Sequence, residues 1–138
     1  MNANFVDLAG ALAELFYGDE NGETLEQTLD RLVSPDFVQR INGQVYGRVA
    51  YAPHVREMRQ MVTGSGDIRV LEEIQQGSRI AGRYLFALDT SGGRVQFESH
   101  IFAEVDKTHR ITHLIEVARQ TLAEDSPEML AMTPAADK

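Results

Sequence analysis

The side chains able to do chemistry are few, and their types narrow what that chemistry could be. The chain has no cysteine, which excludes a thiol nucleophile, a disulfide and a thiolate metal site. Glu98 and His100, two residues apart, would share one face of a strand, with His113 as a neighbour. No third ligand is fixed by spacing, so no metal is expected. Gly64-Ser65-Gly66 lacks the strand–helix setting of a phosphate-binding loop, and no dinucleotide fingerprint occurs, so no organic cofactor is expected either. What remains is acid–base chemistry from isolated groups: the Glu116 carboxylate, the His54 imidazole and the Tyr84 phenol. Whether any of them meets a ligand depends on the elements that carry them.

The chain has 138 residues, 43% of them hydrophobic, enough for one domain with a core that needs no covalent staples. A net charge of −8 repels phosphate backbones and anionic membranes, so nucleic acid is not an expected partner. No apolar run approaches the ~20 residues that cross a bilayer. The start, Met1-Asn2-Ala3-Asn4-Phe5, lacks the basic opening of a secretory signal, and a cytoplasmic location is the default expectation.

Helical spacing of Phe5, Leu8, Leu12, Leu15 and Phe16 predicts a helix over 4–17, broken by Gly18-Asp19-Glu20-Asn21-Gly22. Thr24 is a candidate cap for a second helix with Leu25, Leu29, Leu32 and Val33 as its stripe, ended by Ser34-Pro35. Residues 37–41 read as a short extended stretch, Asn42-Gly43-Gln44 as a turn, and Val45-Tyr46-Gly47 as its return. Pro53 suits the first turn of a third helix whose stripe is Tyr51, Val55, Met58 and Val62. The rest is strand-like. Residues 67–76 alternate through Ile68, Val70 and Ile74; residues 79–88 and 94–105 flank a hairpin turn at Thr90-Ser91-Gly92-Gly93; residues 110–119 follow a turn at 106–109. Helices first and a meander of strands later is an α+β pattern. The domain is expected over 1–120, with 121–138 a mobile tail in which Ser126-Pro127-Glu128 starts one helical turn.

This order resembles the nuclear transport factor 2-like proteins, and among them the SnoaL-like, polyketide cyclase-related group. The stretch Ser34-Pro35-Asp36-Phe37-Val38-Gln39-Arg40-Ile41-Asn42-Gly43 is similar to that family's segment after the second helix. Residues 51–59, with His54, are similar to its third helix, and the final hairpin with Glu116 to its last strand pair. The resemblance covers roughly 4–119. It implies a cystatin-like cone, a curved antiparallel sheet covered by the N-terminal helices, enclosing a small apolar or aromatic molecule. It also implies sheet-to-sheet dimers.

Alternation places Ile80, Gly82, Tyr84, Phe86 and Leu88 on one face, opposite Phe97, Ser99, Ile101 and Ala103. This set is nearly free of charge and is expected inside the cone. Arg79, Arg83, Gln96, Glu98, His100 and Glu104 suit the outer face. Leu85, Phe102, Ile115 and Val117 would fall there too, an apolar patch that supports a homodimer. In the last strand the resemblance places Thr112, Leu114, Glu116 and Ala118 inside. A one-residue slip would reverse this.

On that register Glu116 is a carboxylate in an apolar cone, with the raised pKa of a general acid or base. In SnoaL-like cyclases an aspartate at the matching place transfers the proton. The alternative is a glutamate paired with Arg40 or Arg119, or one facing solvent. His54 would cap the mouth and bond a ligand or Glu116, or else a backbone carbonyl. Tyr84 would donate to a bound oxygen, or else be a core aromatic. The resemblance puts Gln39 and Asn42 on a cavity-lining strand, where amides orient a ligand carbonyl, although Asn42 before Gly43 is equally a turn residue. Ketosteroid isomerases carry an aspartate base in this region. Arg40, Ile41 and Asn42 stand there instead, which argues against that reaction. Phe16, Tyr51, Met58, Met61, Phe86, Phe97, Ser99, Ile101 and Leu114 complete the expected lining. Two functions follow: a small isomerase-, cyclase- or hydratase-type enzyme, or a non-catalytic module that binds a ligand or a protein.

Overall fold

The computed structural model describes residues 5–121. The expected helical turn at Ser126-Pro127-Glu128 lies outside them, as does the tail beyond Thr121. Thr121 itself is still tied down, its N–H donating to the Gln96 carbonyl at 3.0 Å.

Three helices precede and interrupt a six-stranded sheet: α1 Leu8–Tyr17, α2 Leu25–Leu32, β1 Val33–Ile41, β2 Gln44–Gly47, α3 Arg48–Met61, β3 Gly66–Gln76, β4 Arg79–Thr90, β5 Gly93–Val105 and β6 Ile111–Gln120. The strand order is β2-β1-β6-β5-β4-β3. Four of the pairings are antiparallel, but β1 runs parallel to β6, so the sheet is mixed.

Local chemistry accounts for most boundaries. The Asp7 carboxylate accepts from the Gly10 N–H at 2.9 Å and starts α1 there, three residues later than Phe5 suggests; Phe5 is left exposed. Thr24 and Gln27 form a full capping box on α2. That helix passes directly into β1 at Val33, so Ser34-Pro35 lie inside a strand. They fall where β1 slips against β6, in the irregular stretch between Val33 and Val38, where a proline breaks no regular ladder. Pro53 is not in the first turn, because α3 begins at Arg48 with Gly47 as its cap. The missing N–H falls in the second turn, opposite the carbonyl of the highly exposed Val49.

The sheet curves because three of its pairings are irregular. Leu71 is an extra residue of β3 between the pairs Val70–Tyr84 and Glu72–Arg83. Thr112 is an extra residue of β6 between Glu104–His113 and Val105–Ile111. Each bulge flips parity. Ile74, expected to share a face with Ile68, lies outside and is 72% exposed. Ile111 fills the interior position expected of Thr112, whose hydroxyl donates to the Glu104 carbonyl instead.

The concave face carries the core. Leu8, Leu12, Leu15 and Phe16 of α1, Leu25 and Leu29 of α2, and Tyr51 and Val55 of α3 pack on Ile80, Tyr84, Phe86, Ile101 and Leu114. On the outer face Arg83 and Arg119 hold Glu98 between them, and Phe102, Ile115 and Val117 stay in solvent. Leu85 was expected in that patch but is buried, with the long side chains of Arg69 and Glu98 as its cross-strand neighbours.

Candidate functional site

Between the helices and the concave face lies a cavity of about 220 Å³. α1 contributes Phe16 and Tyr17 to its lining, α3 contributes His54, Met58 and Met61, and Val62 follows. From the sheet come Gln39 and Ile41 of β1, the turn residue Asn42, Phe86 and Leu88 of β4, Phe97 and Ser99 of β5, and Glu116 and Ala118 of β6. The register explains this. Glu116 pairs with Ile101 on one side and Ile41 on the other, and Ala118 pairs with Ser99, so alternate residues of three strands meet on one face.

Glu116 is 6% exposed. Ser99 donates its hydroxyl to Oε2 at 2.7 Å, and the Gln39 amide donates to Oε1 at 3.3 Å. No described ion pair involves it. Arg119 is joined to Glu98 at 3.1 Å, and Arg40 is exposed on the opposite face of β1. Burial therefore raises the carboxyl above the usual carboxylate range, and the two hydrogen bonds only partly oppose the shift.

The neighbouring groups are poorly satisfied. Gln39 Oε1 and the Tyr51 hydroxyl are both buried without a hydrogen-bond partner. Burial, and then the nearby Glu116 charge, push the Tyr51 phenol far above its ordinary value. His54 stacks on Tyr46 at 4.2 Å between ring centroids, and burial lowers its pKa, with Glu57 opposing. No hydrogen bond joins His54 to Glu116 among the described residues. At the opposite side Tyr17 packs on Gly66, so closely that an added Cβ would lie 2.6 Å from its ring. Burial and Asp67 raise the Tyr17 phenol to about 12.

Of the residues singled out from the sequence, the fold brings Glu116, His54, Gln39, Asn42, Met58, Phe16, Phe86, Phe97 and Ser99 to the cavity. It does not bring Tyr84 there. The Tyr84 ring turns back along β4 over Gly82, and its hydroxyl donates to Glu73 at 2.6 Å. Tyr51, Ile101 and Leu114 are fully buried core residues behind the lining. Asn42 lines the cavity but its amide is spent. It accepts from the Ala118 N–H at 3.0 Å and donates to the Ala118 carbonyl at 3.2 Å. With Asn42 and Gly43 both at positive φ, this is a two-residue hairpin turn that also latches β6 beside Glu116. Tyr17 and Ile41 were not singled out. Tyr17 extends the α1 stripe by one residue, and Ile41 shares the parity of Gln39, so both were within reach of the periodicities.

The fold and site define a class: an α+β cone with one buried carboxylate at the floor of an aromatic-lined cavity. No protein-family model matches the chain, and no curated protein matches it either. Solved structures do. A nuclear transport factor 2-like protein of unknown function from an Exiguobacterium species aligns over 81% of this chain and 98% of its own, with TM-score 0.62 and 18% identity. IdmH from Streptomyces antibioticus, a candidate polyketide cyclase, aligns over 79% and 87%, with TM-score 0.62 and 16% identity. A candidate isomerase of the SnoaL-like family from Agrobacterium tumefaciens aligns over 80% and 93%, with TM-score 0.59 and 12% identity. The chain has the nuclear transport factor 2-like fold that these proteins share. Among the described residues no helix is long and apolar enough to cross a membrane.

Proposed function

We propose that the protein binds a small ring-bearing molecule in the cone and moves a proton on it, with Glu116 as acid and base. The observation that carries this reading is a carboxylate buried at the cavity floor with two hydrogen bonds and, among the described residues, no cation partner. A carboxyl raised above its ordinary value is a better base when ionised and stays protonated to a higher pH, and isomerisation, cyclisation and hydration all need a proton moved. Ser99 and Gln39 hold it in place, and His54 at the wall is a second polar group for the ligand. The likeness to IdmH and to the SnoaL-like protein of Agrobacterium tumefaciens supports cyclase- or isomerase-type chemistry. The size supports a small ligand. An apolar cavity of ~150 Å³ holds benzene, so about 220 Å³ suits one ring with a short substituent, or two rings partly in the mouth.

The test is Glu116→Gln, which keeps shape and one hydrogen-bonding oxygen. Turnover of an identified substrate is expected to fall at least about 100-fold while the fold stays intact. Unchanged turnover sinks the proposal. One observation favours a second reading, a binding module without catalysis: among the described residues no second acid or base lies within hydrogen-bonding distance of Glu116. That reading expects a co-purifying ligand to be recovered chemically unchanged.

We also infer that two copies pair through the outer sheet face, where Ile74, Phe102, Ile115 and Val117 are exposed. Ile74, Phe102 and Ile115 line an open groove of about 550 Å³ with Arg79, Glu104 and His113.

A further inference from the structure

The floor of the cavity is one positive charge short. Its carboxylate is withdrawn from water, and the donors that reach it, the Ser99 hydroxyl and the Gln39 amide, are both neutral. Each carboxylate oxygen accepts one hydrogen bond where it has room for about two. Beside it Gln39 Oε1 is a second buried acceptor with no donor among the described residues. Among the described residues no lysine or arginine lines the cavity. The walls carry four aromatic rings, Phe16, Tyr17, Phe86 and Phe97, whose faces attract cations. The whole chain, at −8, draws cations toward it.

We propose that the ligand class of this cavity is a small ring-bearing amine, whose ammonium group sits against the Glu116 carboxylate and supplies the missing charge. This rests on the reading of the cavity as a ligand site floored by Glu116. An ammonium offers three donors, enough for the open positions on both carboxylate oxygens and for Gln39 Oε1. A neutral alcohol offers one. The cation and a proton on Glu116 are alternatives: each neutralises the carboxylate, so they exclude one another. Affinity for the amine therefore rises with pH as Glu116 ionises, then falls as the amine loses its own proton. The other titratable groups at the site are His54 of α3 and Tyr17 of α1 in the lining, and the Tyr51 phenol of α3 buried behind it. Burial depresses His54 and raises both phenols, so all three are neutral near pH 7.5 and leave the carboxylate as the group that senses the cation.

Benzylamine and benzyl alcohol, nearly identical in shape, test this by equilibrium titration followed through backbone amide NMR shifts. Signals from Ser99 and Ala118 separate cavity binding from loose attraction to the acidic surface. At pH 7.5 benzylamine is expected to bind at least about tenfold more tightly than the alcohol. That preference should shrink as the pH is lowered through the carboxyl titration, and Glu116→Gln should abolish it. The pH series uses the native protein, so it decides the matter even if the variant does not fold. Benzyl alcohol binding as tightly as benzylamine at the cavity signals overturns the amine proposal and leaves the cavity reading intact. If neither compound moves those signals at millimolar concentration, the amine proposal and the cavity reading both fail.

Discussion

Glu116 sets the behaviour of the site at the scale of single residues, and it also burdens the fold. Because burial raises its carboxyl, the folded chain holds that proton more tightly than the unfolded chain does. By linkage, the stability this group supplies is full below the unfolded carboxyl range near ~4.3 and is lost as the pH rises through the folded value. Glu116→Gln removes the titration. The variant is expected to melt higher than the native protein at pH 8 and to gain much less at pH 4. Calorimetry of both proteins across that range checks the sign, and a gain of equal size at both ends would contradict it. Ser99→Ala removes the shorter of the two hydrogen bonds that oppose the shift, at 2.7 Å. It should move the Glu116 midpoint further upward, as read by carboxyl NMR titration. Tyr84 shows the opposite outcome for a polar residue in the same sheet. Its hydroxyl is fully engaged by Glu73, which is why it anchors the structure and takes no part in the cavity.

Two contacts between elements decide how the helices sit on the sheet. Arg59 of α3 donates to the Leu15 carbonyl at 2.7 Å and to the Glu14 carbonyl at 2.9 Å, closing the C-terminal end of α1. Arg59→Met keeps the aliphatic stem but strands the Leu15 carbonyl and leaves the Glu14 carbonyl with the Gly18 N–H alone, at a cost of about 1–3 kcal/mol. Urea unfolding measures it, with no loss in midpoint as the contrary result. In β4, a Cβ on Gly82 would lie 2.5 Å from the Glu72 carbonyl and 2.8 Å from the Tyr84 hydroxyl. Gly82→Ala must therefore displace either β3 or the tyrosine, and a loss of about 1–3 kcal/mol is expected in the same assay. The turns and caps of these elements were legible in the sequence because each is a short-range code: Thr24 as a cap, Asn42 with Gly43, Gly92 with Gly93. The bulges at Leu71 and Thr112 were not. Whether an extra residue is accommodated depends on the partner strand, and neither Leu71 nor Thr112 differs in type from its regularly paired neighbours.

At the scale of the whole molecule the open question is what covers the outer face. Phe102 and Val117 are 65% and 61% exposed at its centre, flanked by the Glu72–Arg83–Glu98–Arg119 charge network. Such a surface, apolar within a charged rim, fits a second copy of itself. Light scattering at micromolar concentration is expected to give a dimer mass for the native chain and a monomer mass for Phe102→Lys. A native monomer would end the proposal. The same face illustrates how far periodicity reaches: it sorted Phe102, Ile115 and Val117 outward correctly, but it put Leu85 in the outer patch and Ile74 on one face with Ile68. Burial of Leu85 depends on side chains arriving from two other strands, and exposure of Ile74 on a bulge three residues away.

Local pattern along the chain was enough for the α+β class, the three helices among the described residues, the hairpins at 76–79 and 90–93, and the apolar face that becomes the wall of the cone. Each of these follows from a period of two or near four, or from a turn pair, and such signals are complete within a few residues. The alternation of 79–88 against 94–105 also placed Phe86, Phe97 and Ser99 together, because a two-residue turn sets the register of everything beyond it. Tertiary structure decided the rest. Only the parallel pairing of β1 with β6 brings Gln39 beside Glu116, across 77 residues of chain. Only that assembly shows that neither Arg40 nor Arg119 reaches the carboxylate. The charge left uncompensated at the cavity floor is a property of what is absent from around Glu116, and no local pattern encodes an absence.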